Sequence, residues 1–274
     1  MEWSKLKNVI LLMLVLVNAA LLILVGAQTR RASRYTEETR QAALTVLEQG
    51  GISFDLEDFP DDLSLPFLTV TRDRTGESAV ASALLGQVTQ EEGSEVRSRY
   101  SGSGGTAEFS MNGSFSIALE PGTWALQAGE DYQQASADCL TAMGFSGLLE
   151  SQAVQDGEQV LTYRQQWDGY PLFSCQVTLH WSDGQLLLVE GQRLDGSATL
   201  SSNTGLLSTS SILIRFLAGL NEGGYVCSRI TDMTPGYLSS GLSRSVQLTP
   251  VWRIATDTGV YYINGLTGDF TSLE

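Results

Sequence analysis

The spacing of apolar and polar positions changes character near residue 28. From Val9 to Ala27 the chain is apolar almost throughout, with Asn18 as its one strongly polar residue and no charge. As a helix this run would span about 28 Å, close to the hydrocarbon thickness of a bilayer. It predicts a short cytoplasmic tail over 1–8 and a transmembrane helix over 9–27. Trp3, Lys5 and Lys7 before it, and Arg30, Arg31 and Arg34 after it, are the expected interfacial anchors. At mid-membrane depth the Asn18 amide can bond either a second helix or a carbonyl of its own helix. Ala19, Ile23 and Gly26 share one helical face with it and would let a partner helix approach. A signal peptide cleaved after Val25-Gly26-Ala27 is the competing reading, although the apolar run exceeds the usual h-region of about 7–15 residues. Charges on the two flanks do not fix the orientation, and a long C-terminal domain translocates with little regard to them.

Beyond the apolar run the periods are those of a mixed fold. Residues 28–51 read as a juxtamembrane helix, with Ala42, Ala43, Val46 and Leu47 in one stripe and Gly50-Gly51 as the stop. Residues 52–130 read as a strand and hairpin region. It has a short strand at Ile52, Phe54 and Leu56, a helix near Ala79–Val88, a glycine-rich turn at 101–105, and a two-residue hairpin at Asn112-Gly113. Residues 131–200 predict a helix over Tyr132–Met143 and a meander punctuated by Asp-Gly pairs at 156, 168, 183 and 195. Residues 201–274 repeat the theme, with a helix over Ser208–Leu220 and strands after it. The expected fold class is α+β: one N-terminal transmembrane helix followed by tandem helix-plus-antiparallel-sheet modules.

Charge sharpens this division. The only lysines are Lys5 and Lys7, so residues 28–274 hold 14 Arg against 30 Asp plus Glu, a balance of −16 within the chain's −15. Such a surface repels phosphate backbones, and no nucleic-acid partner is expected. Five carboxylates between Asp55 and Asp62 invite a calcium loop, but the spacing lacks the central glycine and closing Glu that such a loop needs.

Candidate chemistry is sparse. His180 is the one histidine, in a strand whose Val177, Leu179 and Trp181 face inward, which turns His180 outward. No serine sits in a nucleophile elbow, and Cys139, Cys175 and Cys227 are too widely spread for a zinc site or a disulfide framework. No catalytic residue, metal or cofactor is expected. A glycosidase-type acidic pair remains open, because that chemistry needs only two carboxyl groups at the right separation.

Met1-Glu2-Trp3-Ser4-Lys5-Leu6-Lys7, running straight into the apolar helix, resembles the start of the YycI branch of the YycH/YycI regulatory proteins. Pro250-Val251-Trp252-Arg253-Ile254 and Tyr261-Tyr262-Ile263-Asn264-Gly265 resemble the closing strand pair of that family, and Asn112-Gly113-Ser114-Phe115 adds to the likeness. The resemblance implies PepSY-like modules, a Gram-positive-type cell membrane location with the N-terminus cytoplasmic and the C-terminal domain outside, and no enzymatic activity. It implies partnership with a YycH-like protein and with a WalK-like sensor histidine kinase of a two-component system controlling cell-wall metabolism. Contacts would run through the transmembrane helix and through an ectodomain that pairs as a homo- or hetero-dimer. The competing readings are an exported wall-active hydrolase and an extracytoplasmic peptide-binding or inhibitor module.

Overall fold

The chain writes one sentence three times: a helix, then four strands. The computed structural model describes residues 37–91, 96–202, 205–241 and 244–272, with helical positions at 13–14, 17–19 and 21–22. Helix α1 (37–49) and strand β1 (Phe67–Arg72) come first. The first unit is α2 (Glu77–Leu85) with β2 (Val88–Gln90), β3 (Arg97–Gly102), β4 (Gly105–Ser110) and β5 (Ser114–Leu119). The second is α3 (Tyr132–Ala142) with β6 (Gly147–Gln155), β7 (Glu158–Trp167), β8 (Tyr170–Ser182) and β9 (Gln185–Gln192). After β10 (Gly196–Ser202) comes the third, α4 (Thr209–Gly223) with β11 (Ile230–Ser240), β12 (Ser245–Thr256), β13 (Val260–Asn264) and β14 (Phe270–Ser272). The class is α+β, mostly sheet with few helices.

Local chemistry explains most of these elements. Asp156, Asp168 and Asp183 have φ of 51°, 49° and 49°, and the glycines after them 88°, 82° and 75°. Two successive left-handed residues make the type I′ turn, whose twist matches the paired strands, so these three Asp-Gly pairs close the hairpins of β6 to β9. Asp131 caps α3 by accepting the Gln134 N–H at 2.8 Å, and Ser208 caps α4 in the same way with Ser211. At the far end of α1 the N–H of Ile52 reaches back to Leu47 O and Gly51 takes a φ of 82°, which satisfies the last carbonyls.

The first two units join head to head. Strand order runs β6-β7-β8-β9-β5-β4-β3-β2, antiparallel throughout, with β5 and β9 meeting at the centre. Helices α2 and α3 cover one face and share a core with Phe115, Ile117, Leu161, Val177, Leu179 and Trp181. The third unit follows in the order β11-β12-β13-β14, and β1 and β10 extend it along the free end of β12. A parallel contact between Leu172 in β8 and Tyr237 in β11 joins the two sheets. There Ser239 donates its N–H to Ser174 Oγ at 3.0 Å.

Several expectations need correction. Residues 52–130 divide in two: the helix expected near Ala79–Val88 runs Glu77–Leu85 and heads a unit over 77–119, while 37–72 pack with the third unit at the other end of the chain. Leu47, Phe54 and Phe59 share a core with Phe216, Trp252 and Ile263, because α1 has an apolar stripe and no strand of its own to cover. The strand expected at Ile52–Leu56 is a single bridge, Ser53 to Arg229, followed by a 3-10 turn at Leu56–Asp58. The acidic stretch around it is partly tied down, with Asp61 pairing with Arg40 at 2.6 Å and Asp62 accepting the Thr209 N–H at the start of α4. Asn112-Gly113 belongs to a three-residue loop and not a two-residue one. Gly113 alone is left-handed, its N–H bonds Ser110 O, and Asn112 Oδ1 accepts from Ser114. Asp195-Gly196 is no hairpin turn either: Gly196, at φ 150°, lies so close to the paired strand β1 that a Cβ would overlap Thr71 O.

Among the described residues no helix is long and apolar enough to cross a membrane. Most of 9–27 lies outside the described residues, as do Trp3, Lys5, Lys7, Ile23, Gly26, Arg30 and Arg31. Asn18 and Ala19 are described, and Asn18 Nδ2 donates to Leu14 O at 2.8 Å, a bond within its own helix.

Candidate functional site

A cleft of about 590 Å³ opens where the first unit meets β1 and β10. Its walls come from four places in the sequence. These are the end of β1 (Thr71 and Arg72), the loop into α2 (Asp73, Arg74, Gly76 and Glu77), the β4–β5 loop (Ser110, Gly113 and Ser114), and the β9–β10 passage (Arg193, Asp195 and Ser197). Backbone bonds hold these pieces together: Asp73 N–H to Asp195 O at 2.9 Å and Arg193 N–H to Gly113 O at 3.0 Å. Val80 and Phe109 give the cleft an apolar wall.

Three arginines and three carboxylates line it, and their pairing is uneven. Arg74 is clamped by Glu77, with Nε 2.6 Å from Oε1, and its Nη2 also donates to Ser98 Oγ. The Glu77 hydrogen bond holds the Arg74 guanidinium above its usual pKa. Arg193 donates Nη1 to Met143 O, and its Nε lies 2.6 Å from Asp195 Oδ2 without directing its hydrogen at that oxygen. Asp73 accepts both the N–H and the hydroxyl of Thr75, which pulls its carboxyl below the usual range. Arg72 donates Nη1 to Arg193 O at 3.1 Å, while its Nε is buried with no hydrogen-bond partner. Burial pushes the Arg72 pKa down, against the pull of Cys175 and Asp195. A Cβ on Gly113 would collide with Arg72 Nη1, so only glycine lets the guanidinium lie across that loop.

No protein-family model matches the sequence, and no curated protein does either. Among solved structures, the fold is similar to that of the Bacillus megaterium YpeB C-terminal domain. The two share 14% identity at a TM-score of 0.39, over 74% of this chain and 99% of that one.

His180 lies away from the cleft. Val177, Leu179 and Trp181 are fully buried, and His180 is half-buried on the other face of β8. Its Nδ1 is 3.7 Å from Glu158 and its Nε2 3.5 Å from Glu190, so both ring nitrogens face carboxylates across the strands and neither faces a nucleophile. The cysteines are free and buried. Burial pushes Cys139 up to about 12 and, with Arg72 opposing, Cys175 up to about 11. The native state therefore holds these thiol protons more tightly than the unfolded chain, where a cysteine titrates near about 8.5. Stability is fully present below that value and falls as pH rises from there toward the native pKa, by up to about 1.4 kcal/mol per pH unit for each thiol. Urea midpoints at pH 8 and pH 10 should show the loss, and Cys139→Ala should reduce it. An unchanged slope in that variant would remove Cys139 from the explanation.

The cleft leaves little trace in the sequence. Arg72 and Arg193 are 121 residues apart, and only the pairing of β1 with β10 brings their segments together. The one local signal was three arginines among only 14 in residues 28–274, each within two positions of an aspartate.

Proposed function

We propose that the chain is a non-enzymatic, membrane-anchored regulator of a sensor histidine kinase of the WalK type. Its N-terminus would be cytoplasmic and its PepSY-like modules extracytoplasmic, related to the YycI branch and partnered by a YycH-like protein. The observation that supports binding over catalysis is the state of the acids in the cleft. Glu77 is clamped by Arg74, Asp195 pairs with Arg193, and Asp73 accepts two hydrogen bonds from Thr75, which lower its pKa. A general acid needs the opposite, a carboxyl whose proton is retained near neutral pH. The apolar run over 9–27 and the opening phrase of the sequence supply the membrane and kinase parts of the reading.

The full chain in detergent should co-purify with a co-expressed sensor kinase of this type. Replacing 9–27 with an unrelated span should abolish that association. Retention after the swap would move the contact to the ectodomain, and no association in either form would sink the kinase reading.

One observation favours a second reading, an extracytoplasmic peptide-binding module. Strand β10 ends the sheet, carries no charge, and is exposed from Gly196 to Ser201. Such an unguarded edge can accept an extended peptide as a further strand.

A further inference from the structure

Beyond the kinase reading, and independently of it, we propose that the cleft binds a carboxylate carried on an apolar body, with Arg72 as the anchoring cation. The uneven pairing of its charges leads to this ligand. Arg74 and Arg193 each have a carboxylate of their own, whereas among the described residues none lies within ion-pair distance of Arg72. The Nε of Arg72 is enclosed and out of a ligand's reach, whereas Nη2 makes no hydrogen bond among the described residues and is not enclosed, so it is the donor a ligand in the cleft can meet. A guanidinium presents its donors as a planar fork that matches a carboxylate.

Electrostatics choose the charge of the ligand. Asp73, Glu77 and Asp195 line the same walls, so the cleft is formally neutral when empty and one further negative charge finds a single uncommitted cation. With Glu77 and Asp195 offset by Arg74 and Arg193, a monoanion would bring the neutral cleft to −1 and a dianion such as phosphate to −2, so a monoanion is favoured. Size and polarity fit as well. About 590 Å³ is within the range of small-ligand sites, Val80 and Phe109 offer apolar contact, and the Ser110 and Ser197 hydroxyls are neutral donors at the rim. The carboxylate could be that of a free acid or of a peptide C-terminus, since both present the same group on an apolar stem.

The test uses the full chain in detergent at fixed ionic strength. The probes are N-acetylphenylalanine, its amide, N-acetyl-Ala-Ala-Phe with a free or an amidated C-terminus, and inorganic phosphate. The free acids should raise the melting temperature saturably and the amides should not. Whichever free acid binds more tightly identifies the source as a small acid or a chain end. Arg72→Gln should weaken binding at least about tenfold. Because Arg72 also bridges two segments, a second variant is needed. Ser197 is exposed on β10, so Ser197→Glu places a like charge at the rim without removing a buried contact, and it should also weaken binding about tenfold with the melting temperature of the free protein unchanged. The proposal is overturned if acid and amide bind alike, if phosphate binds more tightly than the carboxylates, or if Ser197→Glu folds and binds normally.

Discussion

Trp181→Ala is expected to destabilise the chain by about 3–5 kcal/mol, read as a large fall in the urea midpoint of the full chain in detergent. Trp181 is fully buried in β8, under the two helices of the first two units. Its indole N–H donates to Ser136 Oγ on α3 at 2.9 Å, and the Tyr132 ring meets it edge-on with centroids 5.8 Å apart. One side chain therefore supplies apolar area, an aromatic contact and a buried hydrogen bond, all of which fix α3 to the sheet. Trp181→Phe separates these contributions. It keeps most of the area and removes the donor, and a cycle with Ser136→Ala should return a coupling of about 1 kcal/mol. A coupling near zero would leave the loss entirely to packing.

Gly191→Ala should be nearly as damaging, at about 3 kcal/mol or more. Gly191 lies in β9 opposite Phe115 on one side and Val177 on the other, at the centre of the joint between the first two units. Its φ is 152°, and a Cβ would overlap Gln176 O in the neighbouring backbone, which cannot turn aside as a flexible side chain would. Gly157 is the control. Its φ is 88° and nothing lies within 4 Å of the place a methyl carbon would take, so Gly157→Ala should cost only the left-handed strain of about 1–2 kcal/mol. Equal losses at the two sites in thermal melts would show that backbone strain, and not the close approach of β8, sets the requirement for glycine at 191.

The parts of the fold legible in the sequence were those written in local chemistry. Asp-Gly turns, the helices over Tyr132–Met143 and Ser208–Leu220, and the alternation of Val177, Leu179 and Trp181 each need only a few neighbouring residues. Strand β6 escaped because it is exposed on both faces and held through its pairing with β7, which leaves no alternation to read. In the first unit the helix near Ala79 and the β4–β5 pair were legible, whereas β3 (RSRYSG) escaped because Tyr100 is its one buried residue. The Asp195-Gly196 pair shows the limit of a dipeptide signal: its chemistry permits a turn, but the closeness of β1 uses the glycine for space instead. The cleft was illegible for the same reason, since its four segments are assembled by strand pairing between distant parts of the chain.

The packing of α1 has a mechanical consequence. Residues 37–72 are the earliest described part of the chain beyond residue 22, yet Leu47, Phe54 and Phe59 are buried with side chains from 212–263. A pull applied ahead of residue 37 is therefore borne first by the third unit, before the sequence-adjacent unit at 77–119. Tension at one end of the chain would loosen the part of the molecule made last.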